Sequence, residues 1–354
     1  MPPEINIEWD FILDSIESDR TIFCIGSEIY SHTIGDLDSH LQKAIGESKD
    51  IQFYRDGLFH FKGTSDLFSH IKIKKFYKQD FPELRALLEK IAHIRVSTII
   101  SLNPDAKLVE IFKNQGYKYD YDFHYPNHPA KDLKIPNHDN PLIYNLFGTL
   151  DQKESMIYTH GNMFDYLKSS FIGQSIPTAL KVKIDSADNF IFIGLPFEKW
   201  YTQLLMRILH KDEKNGMKMD VAKYAFNHTQ NEKNIIFCQN EFNVTCIQDN
   251  IGDFVDELYE KCKSANLLRL TESEKTNNKI IYSILLEKDK LEDLINLLKK
   301  DAKISFSQST ILTHLSSDMV ALENKKNMGS ISDEDYSVAR TKIRERIISF
   351  INNL

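Results

Sequence analysis

Small and polar residues follow three short apolar segments of this chain, where they could hold a ligand. Gly26, Asn103 and Gly194 each lie in a turn after such a segment, with Ser27 in the first turn and Asp105 in the second. If the segments are parallel strands, these residues lie beyond the carboxyl ends of the strands, where α/β sheets bind their ligands. The residues also have a plainer use. Asn103 or Asp105 can cap the helix that follows, and one glycine is enough for an ordinary tight turn.

Two kinds of segment alternate along the first three-quarters of the chain and would position these turns. The short apolar runs typical of buried parallel strands are 21–25, 96–101, 189–193, 234–238 and 244–247. The segments with helical patterns are 7–16, 34–45, 81–94, 106–114, 198–209 and 251–264. This alternation predicts an α/β fold with a doubly wound, Rossmann-like parallel sheet.

From Leu267 onward only helical patterns remain. Thr271 and Glu274 have the spacing of a capping box, which opens the first of four amphipathic helices. We therefore predict two domains, an α/β domain of residues 1–265 and a C-terminal all-α helical bundle of residues 268–354.

The composition of the 354 residues argues against several classes of protein. With 44 Lys and Arg against 51 Asp and Glu, the net charge is −7, which gives no support for nucleic-acid binding. The four cysteines show no CxxC spacing, which favours reduced structural thiols over zinc ligands or disulfides. No apolar run approaches the roughly 18 residues of a membrane span, and no signal peptide is recognisable. We expect a cytoplasmic protein without a metal.

Histidines gather in the proline-rich stretch 119–141, which we interpret as a long surface excursion. His124 and His128 have a spacing that metal ligands can adopt. No Cys or Glu completes a set of four ligands, so solvated loop histidines are the favoured interpretation.

Four turns, taken in order, carry the most specific pattern in the chain. They are Phe23-Cys-Ile-Gly26-Ser27-Glu28-Ile-Tyr30, Ser101-Leu-Asn103-Pro-Asp105, Tyr144-Asn-Leu-Phe147-Gly148-Thr-Leu150 and Phe190-Ile-Phe-Ile-Gly194-Leu-Pro-Phe197-Glu198. Their order and spacing resemble the sirtuin-like domains of prokaryotic defence and conflict systems, over about residues 10–262. The resemblance implies a Rossmann-like fold whose cofactor is NAD or a related nucleotide.

The resemblance implies a role for each matching position. Gly26 and Ser27 match the start of the turn that holds the NAD diphosphate, and Gly148 and Gly194 match later cofactor-binding turns. Asn103 matches a residue that helps to hold the ribose and the attacking water. Asp105 matches one that shapes the nicotinamide pocket, and these two retain the family's catalytic positions.

Two residues depart from the family's pattern at positions that are essential for its chemistry. Phe147 occupies the position of the His that starts NAD cleavage, and a phenyl ring can neither accept nor donate a proton. Glu28 replaces the second glycine of the first turn. A carboxylate at contact range repels a diphosphate by about 1 kcal/mol or more. His160 is an alternative base in the same region, although a lone loop histidine is usually solvated or hydrogen-bonded.

The C-terminal bundle has a resemblance of its own. Asn327-Met-Gly-Ser-Ile331-Ser-Asp-Glu334-Asp-Tyr336, followed by Arg340 and Arg344, is similar to the effector-associated domains of prokaryotic conflict systems. Those are small helical adaptors that pair with the same domain on another protein. The alternative is a generic helical appendage such as a dimerisation bundle.

Together these resemblances imply a catalytically degenerate scaffold, sensor or regulator of an antiphage defence system. It would recruit, through its adaptor domain, a protein encoded nearby that bears an effector-associated domain, in a homo- or hetero-oligomer. One alternative is an active NAD hydrolase that depletes NAD on infection. Another is a sensor that binds NAD or ADP-ribose without cleaving it. The sequence favours the absence of enzymatic activity and leaves the question open.

Overall fold

The structure, a computed structural model, divides the chain into two compact units, residues 1–261 and 262–354. The residues that it describes are 7–63, 65–126, 128–172, 176–209, 221–226, 232–247, 250–299, 304 and 306–352. None of the helices in these ranges is both long and apolar enough to cross a membrane.

The first unit is built on a parallel sheet of seven strands. They are β1 Thr21–Ile25, β4 Thr98–Ser101, β5 Asp120–Phe123, β6 Leu142–Asn145, β7 Asn189–Ile193, β8 Ala222–Phe226 and β9 Thr245–Ile247. Their order across the sheet is β5-β6-β4-β1-β7-β8-β9, and all neighbours pair in parallel. The chain adds strands on one side of β1 and then returns to add β7 on the other side. The point between β1 and β7 is therefore the topological switch, where such sheets form their ligand crevice.

Helices cover the sheet and join its strands, as the alternation of segments predicts. They are α1 Trp9–Glu17, α2 Glu28–Ile34, α3 Leu37–Ile45, α4 Ser65–Tyr77, α5 Pro82–His93, α6 Lys107–Asn114, α7 His160–Ile172, α8 Thr178–Ser186, α9 Trp200–Leu209, α10 Glu232–Phe242 and α11 Ile251–Ser264. The central strands β1, β4, β6 and β7 are buried along their whole length, which explains why they read as continuous apolar runs. The prediction of a doubly wound α/β fold is confirmed.

A small antiparallel hairpin projects between α3 and α4. Its strands are β2 Ile51–Phe53 and β3 Phe59–Phe61. This hairpin is not among the elements predicted from the sequence, although Asp56-Gly57 is a strong turn signal between two aromatic-containing runs. Gly57 has a φ of +84°, a conformation that glycine adopts without strain.

Two of the predicted segments are wrong. Residues 234–238 lie in α10 and not in a strand, because a short apolar run has no period that separates a buried strand from a helix. The stretch 119–141 is not only a surface excursion, since its first residues form β5 at the edge of the sheet.

The second unit contains a helical bundle, as predicted. Its helices are α12 Glu272–Glu287, α13 Leu291–Leu298, α14 Phe306–Asn327 and α15 Asp333–Asn352. The capping box exists, because Thr271 Oγ1 accepts from Glu274 N at 3.2 Å and Glu274 Oε2 accepts from Thr271 N at 2.7 Å. The bundle has its own apolar core, which includes Leu294, Leu315 and Ile347.

Candidate functional site

Two glycines bring the turns after β1 and β7 into direct contact at the switch point. The Gly26 N–H donates to Ile193 O and the Glu28 N–H donates to Gly194 O, both at 2.9 Å. A Cβ on Gly26 would lie 2.3 Å from Gly194 O, and one on Gly194 would lie 2.5 Å from Ile29 N. Neither position can carry a side chain without moving backbone. The glycines thus serve the packing of one turn on the other.

A small cavity lies where the four turns of the sequence pattern meet. Ser27, Asn103, Phe147 and Pro196, one residue from each turn, contribute to its lining, together with Tyr201 from α9. The cavity volume is about 90 Å³. A water molecule occupies about 30 Å³ of liquid, so this space accommodates about three waters. The structure brings the four turns together, but around a nearly filled interior.

Asn103 is the polar side chain best placed to meet a ligand in this cavity. Its Nδ2–H donates to Gly26 O at 3.1 Å, which fixes the plane of the amide. Its Oδ1 is buried and has no hydrogen-bond partner among the residues described. A buried amide oxygen left without a partner costs about 1–3 kcal/mol. A ligand donor that reached Asn103 would recover that cost.

Asp105 does not line this cavity, although it lies only two residues from Asn103. Its carboxylate accepts from the Tyr30 hydroxyl and from the Lys107 N–H, each at 2.9 Å. Burial raises the pKa of Asp105, while the hydrogen bonds from Lys107 and Tyr30 act in the opposite direction. The Lys107 contact satisfies the first backbone N–H of α6. Asp105 is therefore engaged just before the N-cap residue Ala106 of α6.

Phe147 closes the cavity with its ring. It is 8% exposed and makes edge-to-face contacts with Tyr166 and Tyr201, at ring-centre distances of 5.5 and 5.9 Å. Such aromatic pairs add about 0.5–1.5 kcal/mol each beyond the area that they bury. The ring that replaces an acid–base group is thus part of the hydrophobic core.

Gly148 is required by the packing of the next turn. Its φ is +79°, and a Cβ there would lie 2.0 Å from the backbone oxygen of Ser155. The Ser155 Oγ also accepts from the Thr149 N–H at 3.0 Å, which holds the two segments together. The chain cannot relieve this clash by moving a flexible side chain.

Replacing Gly148 with Ala is expected to lower the free energy of unfolding by about 2–5 kcal/mol, the sum of backbone strain and overpacking. Denaturant titration monitored by circular dichroism measures this loss. Gly116→Ala is the matched control, since Gly116 has a φ of +69° but no atom within 4 Å of its would-be Cβ. We expect the control to lose about 1 kcal/mol. Equal losses in the two variants would contradict the steric account.

His160, the alternative base, does not line the cavity around Asn103 and Phe147. It begins α7, and its Nε2 lies 2.9 Å from Asp56 Oδ2. The Trp200 Nε1–H donates to the same carboxylate oxygen at 2.9 Å. Burial acts against the charge on Asp56, but hydrogen bonds from Trp200, Leu58 and His160 outweigh it and lower the pKa of that carboxyl. Sequence reasoning missed Asp56, because nothing in the sequence pairs residues 104 positions apart.

The histidines of the stretch 119–141 face different partners. His124 is fully buried against the Tyr166 ring and lies 3.1 Å from Ser169 Oγ, so its interpretation as a solvated histidine is wrong. His128 is exposed and stacks on Tyr125. Within the described ranges, no group of three or more His, Cys, Asp or Glu side chains is arranged to hold a metal ion.

Comparison with protein families identifies both parts of the chain. Residues 97–247 match the model of the SIR2-like domain, and the matched region runs from β4 through β9. The chain thus carries a SIR2-like domain on its Rossmann-like sheet. Residues 272–354 match effector-associated domain 11, which covers the helical bundle. A comparison with curated proteins found no match. The turn with Gly26 and Ser27 precedes the matched SIR2-like region.

SIR2-like domains typically bind NAD, but the residues around this cavity do not fit that nucleotide. Sites for small molecules and cofactors usually enclose about 300–1,000 Å³, several times the volume found here. The Phe147 ring fills space at the base position. At the switch point the backbones of Gly26 and Gly194 pack directly against each other, so this backbone is not available to a ligand. Among the described residues that line the cavity, Asn103 has a buried side-chain oxygen without a hydrogen-bond partner.

Proposed function

We propose that this protein is a catalytically silent SIR2-like component of a prokaryotic antiphage defence system, in which it acts as a scaffold or regulator. Its effector-associated domain recruits a partner that carries a related domain. The proposal is supported by the family that each unit matches and by the missing acid–base group in the first unit.

The observation that carries the proposal is the replacement of an acid–base group by a packed ring. Phe147 offers no proton acceptor, and contacts with Tyr166 and Tyr201 hold its ring at the position where the base would lie. His160 is engaged by Asp56 and lines a different depression. This arrangement argues against the active NAD hydrolase.

The recruiting role is supported by the composition of the helical bundle. Arg340 donates to Asp289 at 2.8 Å and to Glu323 at 2.7 Å, and Arg344 donates to Leu286 O at 3.1 Å. These contacts stabilise the bundle itself. Other charged side chains on α15, including Lys342 and Glu345, are exposed. Charged faces of this kind set the specificity of protein association more than its strength.

One observation favours a second candidate, a sensor that binds a nucleotide without cleaving it. The buried Asn103 Oδ1 has no partner within the described part of the chain, and it lies in the wall of the cavity. For this candidate the cavity must open, which requires the Phe147 ring to leave its position. A sensor of this kind would bind its nucleotide less tightly than a freely open pocket would, because part of the binding free energy is needed to move the ring.

The role of the Phe147 ring can be tested with Phe147→Ala. We expect this variant to lose about 3–5 kcal/mol of stability and to gain a cavity large enough for one aromatic ring. Nicotinamide, whose amide can donate to Asn103 Oδ1, should then raise the melting temperature of the variant but not that of the wild type. Thermal melting across a nicotinamide titration measures both effects.

The matched control for that experiment is Phe112→Ala. Phe112 is fully buried in α6 and does not line the cavity. We expect a similar loss of stability without a response to nicotinamide. Nicotinamide that stabilises the wild type as strongly as Phe147→Ala would show that the pocket is open, and would count against the proposed silence.

A further inference from the structure

An open groove lies next to the closed cavity and is much larger. Its volume is about 710 Å³, within the usual range of small-molecule sites. Phe59 and Tyr158 line both spaces, so they form the wall between them. The Phe59 N–H donates to Tyr158 O at 2.8 Å, which ties the hairpin β2–β3 to the segment before α7. We call this depression the aromatic groove.

Four aromatic residues contribute to the lining of the aromatic groove. They are Tyr54, Phe59, Phe61 and Tyr158. The Phe59 and Phe61 rings lie nearly parallel, 13° apart at a centre distance of 5.5 Å, and Phe61 meets Tyr158 edge to face at 5.6 Å. A wall held in this way is already ordered, so a flat ligand ring can stack on it at little conformational cost.

One imidazole in the groove is held in a fixed orientation. Asp56 receives hydrogen bonds from His160 Nε2, from Trp200 Nε1 and, at 3.2 Å, from the Leu58 N–H. Since the carboxylate can only accept, the proton of the neutral ring is on Nε2 and Nδ1 is left as an acceptor. The His160 and Tyr54 rings also meet edge to face, with ring centres 4.9 Å apart.

Several polar groups of the groove are paired with one another or with neighbouring side chains. The Asp66 carboxylate accepts from the Tyr158 hydroxyl at 2.7 Å and from Lys153 at 2.8 Å. The Asn162 Oδ1 accepts from the Thr159 N–H and hydroxyl. Within the described ranges, His160 Nδ1 and Asn162 Nδ2 make no hydrogen bond. They provide one acceptor and one donor two residues apart at the start of α7.

We infer that the aromatic groove binds the heteroaromatic base of a nucleoside, which stacks on the partly exposed Phe61 ring and bonds through its edge to His160 and Asn162. A base carries donors and acceptors side by side on its edge, which match one acceptor and one donor. A sugar has no π-face that could stack on an aromatic ring in the way that a base does. This inference does not depend on whether the cavity beside Phe147 lacks catalytic activity.

The experiment is a calorimetric titration of the full chain with adenosine, cytidine and uridine, and with ribose and maltotriose as sugar probes. We expect saturable binding of at least one nucleoside and none of the sugars. Phe61→Leu and His160→Asn should each weaken that binding about tenfold or more, since stacking of one base on an aromatic ring is worth about 1–3 kcal/mol. Melting curves of the variants establish that they remain folded.

His128→Asn is the matched control, because His128 is also a histidine beside a tyrosine ring, but outside the groove. It should bind nucleosides as the wild type does. Failure of all three nucleosides to bind the wild type would overturn the inference. So would sugars binding equally well, or nucleoside binding that both Phe61→Leu and His160→Asn leave unchanged. Phe147→Ala should not alter nucleoside binding, which separates this groove from the closed cavity.

Discussion

The full chain, incubated with NAD, is expected to release nicotinamide no faster than a protein-free sample. In the sirtuin-like family that the chain resembles, the cleavage of NAD needs a base, and Phe147 provides none. Loss of one acid–base group typically costs about 10²–10⁴-fold in rate. Here the cavity is also too small for the nucleotide, at about 90 Å³. Chromatographic separation of nicotinamide and ADP-ribose from NAD measures the rate.

Asn103→Ala is the informative companion variant in this assay, because it removes the ligand-binding atom that faces the cavity. We expect it to match the wild type, since neither protein turns over NAD. Release by the wild type that disappears in Asn103→Ala would establish an active hydrolase and refute the proposed function. Release that survives in Asn103→Ala but disappears in His160→Asn would instead identify the Asp56-oriented imidazole as the base.

Deletion of residues 268–354 is expected to abolish recruitment of the partner and to leave the first unit folded. The two units have separate apolar cores, and the bundle core is formed within residues 282–350. The partner to test is a protein encoded nearby that bears an effector-associated domain, with a second copy of this chain as the other candidate. Co-purification of tagged proteins measures the association, and thermal melting reports whether residues 1–267 still unfold cooperatively.

Salt provides the control on the nature of that contact. If exposed charges on α14 and α15 form the interface, raising the salt from 0.15 M to 1 M shortens the screening length from about 8 Å to about 3 Å and should weaken the association. If the truncated first unit retains the partner as well as the full chain does, the bundle is not the recruiting element. An association that strengthens with salt would point to an apolar contact instead.

The hairpin β2–β3 contributes residues to both of the sites described above. It supplies Phe59 and Phe61 to the groove, and its turn supplies Asp56 to His160. Phe59 also helps to close the cavity next to Phe147. One small hairpin therefore helps to line both the cavity beside Phe147 and the aromatic groove.

The sequence by itself determined the fold class and the order of the four turns. Strands buried on both faces must be apolar throughout, and helices that cover them must be amphipathic, so both leave a periodic trace in the chain. The capping box at Thr271 is equally local, since its two hydrogen bonds join residues three positions apart. The replacement of a proton acceptor by Phe147 is also visible at the level of residue type.

Only the tertiary structure decided what those turns enclose. Whether Asn103 and Phe147 border an open pocket or a filled one depends on side chains from α7, α9 and the hairpin. The same is true of Asp105, whose carboxylate is taken up by Tyr30 from another turn. The Asp56–His160 pair depends on contacts between distant segments and has no sequence period. The predictions for the edge strand β5 and for the apolar run 234–238 were wrong for a related reason. Packing against neighbouring elements decides the conformation of such segments.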